Sequence, residues 1–271
     1  MKHLFLCLGL WAAAAALAGE GREPVTGILG AFGDEVDLLV DQLKDPATRE
    51  IEGLRFWTGT LKGRRVAIAL SGVGKVNAAV AAILLHEHFR PAEVLFTGIA
   101  GALNPELRPG DIVIAAKTVQ HDYGTLTAEG FRRKAARNPV TRERNPVFFP
   151  ADERLLKLAL AAKGRVKLDP IEFADGKRVP QIIQGVVATG DVFVAHPGKK
   201  AELRKELGAD AVEMEGAAVA QVCWQWEIPC LVIRSMSDMA DHNAVVDARM
   251  FQAIAARNSA HLVAEIVGSI K

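Results

Sequence analysis

The sequence predicts an α/β fold in which a mostly parallel sheet lies between helices. Short apolar runs that are typical of buried strands alternate with helical patterns along most of the chain. This alternation favours parallel strands, because a parallel pair needs a long crossover that is usually a helix. No internal repeat and no linker interrupts the pattern, so we expect a single domain over residues 19–271.

The first predicted elements are a buried strand at 25–31 and an amphipathic helix with apolar residues at 36, 39, 40 and 43. The segment 54–61 alternates, which is typical of an edge or antiparallel strand. A strand at 65–70 and an alanine-rich helix at 76–85 follow. The remaining predicted strands are 93–97, 111–115, 183–189 and 230–234, and the remaining helices are 153–162, 199–207, 213–226 and 250–270.

The amino terminus resembles a secretory leader. Lys2 and His3 precede an apolar run over 4–15, and small residues lead to Ala18. The run is too short to span a bilayer comfortably, so an uncleaved anchor is the less favoured alternative. We therefore expect a signal peptide at 1–18 and a secreted or periplasmic mature protein that is not stably inserted in a membrane.

The charge balance argues against nucleic acid as a partner, and the cysteine content argues against a structural zinc site. The chain has 33 Lys and Arg against 32 Asp and Glu, so nucleic acid is not expected as a partner. Cys223 and Cys230 have no His or Cys at metal-ligand spacing, which argues against structural zinc. Export would permit a disulfide between them, but two buried thiols are an equal alternative.

The segment 124–150 is rich in arginine, with two prolines between residues 131 and 146. A charged surface loop is the favoured interpretation. A lid, a subunit contact or a phosphate-binding segment are the alternatives.

A glycine-rich turn occurs at 71–77, with the sequence SGVGKVN, between a predicted strand and a predicted helix. A dinucleotide-binding fingerprint would need glycine at Asn77, and a P-loop would need glycine at Ala69 and a hydroxyl at Val76. The turn therefore matches neither motif. A tight turn and an anion-binding or sugar-binding site remain the two alternative interpretations of this segment.

Acidic residues follow three of the predicted strands. Asp34 and Glu35 begin a helix, where they would also suit the helix dipole. Glu213 and Glu215 stand among apolar residues, and burying them is costly unless they bind hydroxyls, cations or protons. Asp238 follows an apolar strand, where it could cap the next helix or, in a sheltered crevice, donate a proton.

Together these segments resemble the methylthioadenosine/S-adenosylhomocysteine nucleosidases of the nucleoside phosphorylase superfamily. The most specific matches are VEMEGAAVAQVC and RSMSDMAD, supported by SGVGKVNAA, TGIAGAL, PGDIVIA and ATGDVFV, and the likeness extends over 26–267. The resemblance implies a three-layer α/β/α domain with a central mixed, mostly parallel sheet. It also implies a homodimer, no metal or organic cofactor, and hydrolysis of a purine nucleoside by water.

The resemblance also assigns roles to individual residues. Asp238 matches the acid that protonates the purine at N7, with Ser237 assisting it. Glu35 matches the carboxylate that activates the attacking water, and Glu213 would support that water site. The residues assigned to substrate binding are the ribose ligands Glu215 and the backbone of Met214, the base-binding pair Phe193 and Val194, and the pocket residues Ser237, Ile99 and Phe32.

Two departures leave the exact nucleoside open. Ile99 stands where these nucleosidases usually have serine, and Ala248 stands where an aromatic residue often encloses the 5' substituent. Hydrolysis of futalosine is a variant with the same machinery.

Two other functions remain as alternatives. A phosphorylase on the same fold would use phosphate, which Asp34 and Glu35 would repel. A non-catalytic periplasmic nucleoside-binding protein would need neither a proton donor nor a residue that activates water.

Overall fold

The computed structural model describes residues 23–271, so the predicted leader lies outside the described residues. The described strands are β1 (Thr26–Gly30), β2 (Lys44–Ile51), β3 (Leu54–Leu61), β4 (Arg64–Leu70), β5 (Glu93–Phe96), β6 (Ile99–Ala102), β7 (Ile112–Gln120), β8 (Gly124–Thr127), β9 (Gly130–Arg133), β10 (Phe148–Pro150), β11 (Ile171–Phe173), β12 (Gly176–Arg178), β13 (Ile182–Thr189), β14 (Ala211–Glu213) and β15 (Cys230–Asp238). The helices are α1 (Gly33–Asp41), α2 (Lys75–Phe89), α3 (Glu153–Ala162), α4 (Pro197–Leu207), α5 (Gly216–Gln225) and α6 (Ala244–Val267).

Eleven strands form one mixed sheet in the order β10-β7-β13-β14-β6-β15-β5-β1-β4-β3-β2. Six strand pairs are parallel, and five are antiparallel. Strand β7 also pairs with β15, so β15, β6, β14, β13 and β7 form a closed ring. The predicted α/β class with a central mixed sheet is therefore confirmed.

Helices cover both faces of the sheet. On one face, α2 and α5 share a core with the sheet, and on the other face α1, α3 and α6 do so. Strand β15 shows why both faces need apolar residues: Val232 points into the first core, whereas Leu231 and Ile233 point into the second. The first four residues of β15, CLVI, are a continuous apolar run, which made the strand recognisable from the sequence.

Some elements differ from the expected ones. Strand β2 has one buried residue in eight and was not predicted, because its outer position in the sheet requires no apolar alternation. Of the two alternatives predicted for 54–61, the antiparallel one is confirmed: β3 is antiparallel to both β2 and β4, and β2 forms the outer edge. Residues 211–213 are the strand β14, so the helix expected from 213 begins at Gly216.

The arginine-rich segment 124–150 contains ordered structure. Strands β8 and β9 form a hairpin, and β10 adds to the outer side of β7. Within residues 23–271, no helix combines the length and apolar character that a membrane span requires.

Candidate active site

Glu35 lies in the first turn of α1, directly after β1, and is almost completely buried. Its carboxylate accepts hydrogen bonds from the backbone N–H groups of Phe32 (3.0 Å), Ile99 (3.1 Å) and Ala31. Burial raises the pKa of Glu35, and the Arg234 charge and the three N–H donors oppose that rise. The loops after β1 and β5 thus hold one carboxylate at the carboxyl ends of parallel strands, where open α/β sheets bind ligands.

Gly98 permits this arrangement. A Cβ atom at this position would lie 3.0 Å from Glu35 Oε1 and 3.2 Å from Arg234 Nη1. Any side chain would therefore displace the Glu35 carboxylate or the Arg234 guanidinium.

Arg234 and Glu213 form a buried ion pair beneath the site. The guanidinium donates to Glu213 Oε2 from Nε (3.1 Å) and Nη2 (2.7 Å), and both side chains are at most 2% exposed. Arg234 also lies 4.2 Å from the centre of the Phe96 ring. Donation from two guanidinium nitrogens at once and stacking on a ring are interactions that arginine makes better than lysine.

The second function of Glu213 is to hold the start of α5. Its Oε2 accepts the backbone N–H groups of Glu215 (3.0 Å) and Gly216 (2.7 Å), and Thr189 donates its hydroxyl to Oε1. Both oxygens of Glu213 are therefore bonded within the protein, and the residue positions its neighbour Glu215.

Glu215 faces the glycine-rich turn that the sequence left unassigned. Its Oε1 accepts the N–H of Gly74 (2.8 Å), 141 residues earlier in the chain. Burial, with the nearby charge of Glu213, raises the pKa of Glu215 to about 7. The neighbouring N–H of Lys75 donates to Asp191 Oδ1 (2.8 Å). The amino terminus of α2 is thus bound by the protein's own carboxylates.

Asp238 ends β15 and is 2% exposed. Its Oδ2 accepts the hydroxyl of Ser237 (2.7 Å), and its Oδ1 accepts the N–H of Ala240 (2.8 Å). Burial raises the pKa of Asp238, which favours the protonated carboxyl. Lys200 donates to the carbonyl of Met239 (2.6 Å) and so ties α4 to the turn that follows the acid.

Asp238 shares a narrow cavity of about 20 Å³ with residues from three other segments. Phe193 is half exposed at this cavity, Val194 is buried, and Met214 is half-buried. The cavity is lined by Gly101, Val192, Phe193, Val194, Val212, Glu213, Met214 and Asp238.

The residues predicted from the sequence thus form two groups, one around Glu35 and one around Asp238. Phe32 and Ile99 hold Glu35 through their backbone N–H groups. The residues predicted to bind base and ribose, Phe193, Val194 and Met214, line the cavity with Asp238, to which Ser237 is bonded. No group of three or more His, Cys, Asp or Glu within 23–271 could hold a metal ion.

Sequence reasoning did not identify Arg234, Thr189, Asp191, Gly98 or Gly101 as parts of the site. The sequence feature that could have identified Arg234 is its charge directly after the apolar run CLVI. A buried arginine needs a paired carboxylate, but nothing local indicates which one.

Comparison with known proteins decides the family. The model of the Phosphorylase superfamily matches residues 25–268. The chain belongs to this superfamily. Within it, the chain is similar to the 5'-methylthioadenosine/S-adenosylhomocysteine nucleosidase of Psychromonas ingrahamii, with 38% identity over 245 residues that cover 90% of this chain and 98% of the relative.

Solved structures of superfamily members agree with this placement. The nucleosidase from Neisseria meningitidis, in complex with methylthio-immucillin-A, has a TM-score of 0.79 and 36% identity, covering 91% of this chain and 99% of the other. The futalosine hydrolase of Helicobacter pylori has a TM-score of 0.77 and 30% identity, covering 91% and 98%. The predicted enzyme class, a purine nucleoside N-glycosyl hydrolase, is confirmed at the level of the family.

Proposed function

We propose that this superfamily member hydrolyses the N-glycosidic bond of 5'-methylthioadenosine, S-adenosylhomocysteine or a closely related purine nucleoside and releases the base. The observation that carries the proposal is the carboxylate of Glu35, which occupies three converging backbone N–H donors. Such converging donors are what an anionic co-substrate would otherwise use. The carboxylate would repel a phosphate ion at this position. Water, in contrast, can donate a hydrogen bond to the carboxylate and lose a proton to it.

The other donors of the site support water over phosphate in the same way. The N–H groups of Gly74 and Lys75 bind Glu215 and Asp191, and Arg234 is paired with Glu213. A phosphate ion would therefore have to displace carboxylates that belong to the fold. This favours a hydrolase over a phosphorylase.

Asp238 is the proposed general acid. A purine anion is a poor leaving group, and protonation at N7 lets the base depart neutral. The raised pKa of Asp238 keeps its proton available at higher pH than an exposed aspartic acid would allow. Ser237 and the Ala240 N–H hold the two carboxyl oxygens in place.

Glu35 is the proposed general base. Departure of the base leaves an oxocarbenium-like sugar, which a water deprotonated by Glu35 can attack. Desolvation raises the pKa of Glu35 and makes its carboxylate a stronger base than an exposed one. Glu213 contributes indirectly by positioning Arg234 and the Glu215 segment.

The remaining assigned residues would orient the nucleoside. Glu215 and the backbone of Met214 are the proposed ribose ligands, and Phe193 would stack on the base beside Val194. Holding sugar and water together supplies a proximity effect on top of acid and base catalysis. Ile99 and Phe32 border Glu35, so they are the proposed neighbours of the sugar and its 5' substituent.

The test is adenine release from 5'-methylthioadenosine, S-adenosylhomocysteine and adenosine by the purified protein, with and without phosphate. Release at the same rate in both buffers is expected. Release that requires phosphate would identify a phosphorylase, and tight binding with no release would identify a capture protein. Futalosine, assayed in parallel through release of its purine base, determines whether it is the preferred member of the substrate class.

Gly101 offers a test of how closely Asp238 is held. A Cβ at this position would lie 2.8 Å from Asp238 Oδ1 and 3.0 Å from the Cβ of Ala240. We expect Gly101→Ala to lower kcat/KM about 10²-fold, since displacements near 1 Å have effects of that size. Gly164→Ala is the matched control because a Cβ there meets nothing within 4 Å. Equal activity of the two variants would contradict the proposed position of the acid.

The homodimer expected from the resemblance is part of this proposal. Helix α2 exposes the apolar side chains of Val76, Val80 and Ile83, of which Val76 is 74% exposed. A contiguous apolar helix face is typical of a protein interface. Sedimentation equilibrium is expected to give twice the monomer mass, and a monomer at micromolar concentration would refute the dimer.

Export is also a proposal. The leader-like composition of residues 1–18 supports it. Amino-terminal sequencing of protein from the periplasm or the medium is expected to begin at Gly19. Full-length protein confined to the cytoplasm would refute export.

A further inference from the structure

Cys223 and Cys230 lie at the two ends of the turn that joins α5 to β15. Cys223 is in the last turns of α5, and Cys230 is the first residue of β15. Both are buried, at 1% and 9% exposure, and both belong to the core between α2, α5 and the sheet. Both are free thiols in the structure, and both residues line one cavity. The side chain of Cys230, together with burial, raises the pKa of the Cys223 thiol well above its usual value.

Backbone hydrogen bonds close the turn between the two cysteines. The N–H of Ile228 donates to the carbonyl of Cys223 (2.9 Å), and the N–H of Trp226 donates to that of Val222 (3.2 Å). Glu227, between them, adopts a positive φ of 54°, which is unfavourable for a non-glycine residue. A covalent link across this turn would restrain it in the folded form.

A cavity of about 550 Å³ leads to the pair. Both cysteines line it, along with Trp224, Pro229 and residues 143–145 of the arginine-rich segment. The cavity gives a small disulfide a route to the thiols. It lies at the amino-terminal end of β15, whereas Asp238 is eight residues further on, roughly 26 Å along an extended strand.

We propose that Cys223 and Cys230 form an intramolecular disulfide when the protein matures in an oxidising compartment. In the reaction, one thiolate attacks an external disulfide, such as glutathione disulfide or an oxidoreductase, and releases one thiol. The second cysteine then attacks the mixed disulfide and releases the other thiol. The protein loses two electrons and two protons, and the external disulfide accepts them as two thiols.

The timing of the reaction follows from the burial of Cys223. The thiolate is the nucleophile, and its fraction is small at neutral pH when the pKa is raised. Exchange on the folded protein is therefore slow, and the bond forms mainly while the chain folds. The cross-link joins the carboxyl end of α5 to the start of β15, the two elements whose far ends carry Glu215 and Asp238.

The experiment compares the same chain from two compartments. Residues 19–271 are produced in the bacterial cytoplasm, and in the periplasm behind an unrelated leader, so the result does not depend on export by residues 1–18. Free thiols are counted in denaturant before and after reduction. The periplasmic protein is expected to show none before reduction and two after it, whereas the cytoplasmic protein shows two in both cases.

Thermal unfolding gives a second measurement. The disulfide closes a loop of eight residues, 223–230, and is expected to raise Tm by about 5–10 °C over the reduced form. The Tm of Cys230→Ser should not respond to reductant. Two titratable thiols in the periplasmic protein, a glutathione adduct on one cysteine, or a cross-link between chains would each overturn the proposal.

Discussion

Asp238→Asn is expected to lower kcat for adenine release by about 10²–10⁴-fold, the usual effect of removing a general acid. Asparagine keeps the size of the side chain and can still accept the N–H of Ala240, so the change removes the proton rather than the shape. The assay is adenine release at saturating 5'-methylthioadenosine. Asp41→Asn is the matched control, because Asp41 is exposed at the end of α1.

Stability and pH dependence separate loss of chemistry from loss of folding. Because the folded pKa of Asp238 is raised, its favourable contribution to stability exists below the unfolded pKa and is lost as pH rises through the folded pKa. The neutral asparagine avoids this loss, so its Tm at neutral pH should equal or exceed that of the unmodified protein. The alkaline fall in activity that comes from Asp238 ionisation should also disappear. Unchanged kcat in this variant would refute the assignment of the acid.

Glu35→Ala is expected to lower kcat for hydrolysis by about 10²–10⁴-fold, because no other carboxylate of residues 23–271 is held at the donors of Ala31, Phe32 and Ile99. The change leaves these three N–H groups without their acceptor next to the Arg234 charge. A small carboxylate can occupy such a site. Added formate is therefore expected to restore part of the activity.

Two controls make the rescue specific. Formate should not restore activity to Asp238→Ala, since that variant lacks a proton donor rather than a base. Glu50→Ala, on the exposed strand β2, should match the unmodified protein in activity and Tm. Full activity in Glu35→Ala without formate would contradict the role of Glu35 as the base.

Much of the fold was predictable because its central strands are buried on both faces. Strands β1, β4, β5 and β15 contain short apolar runs, and α3 follows an amphipathic pattern, so local sequence indicates both kinds of element. Strand β2 was missed because it pairs with β3 alone and is almost entirely exposed. A strand in that position is stabilised by backbone hydrogen bonds, which leave no hydrophobic pattern.

In the candidate site, too, local sequence indicated some features and only the tertiary structure decided the others. Residue types and their place after apolar runs were enough to select Glu35, Glu215 and Asp238, because acids next to buried strands are costly without a partner. Only tertiary structure decided the partners: Glu215 meets Gly74, and Glu213 pairs with Arg234. These contacts join residues far apart in sequence, and a hydrogen bond or ion pair depends on distance in space, which local sequence does not encode.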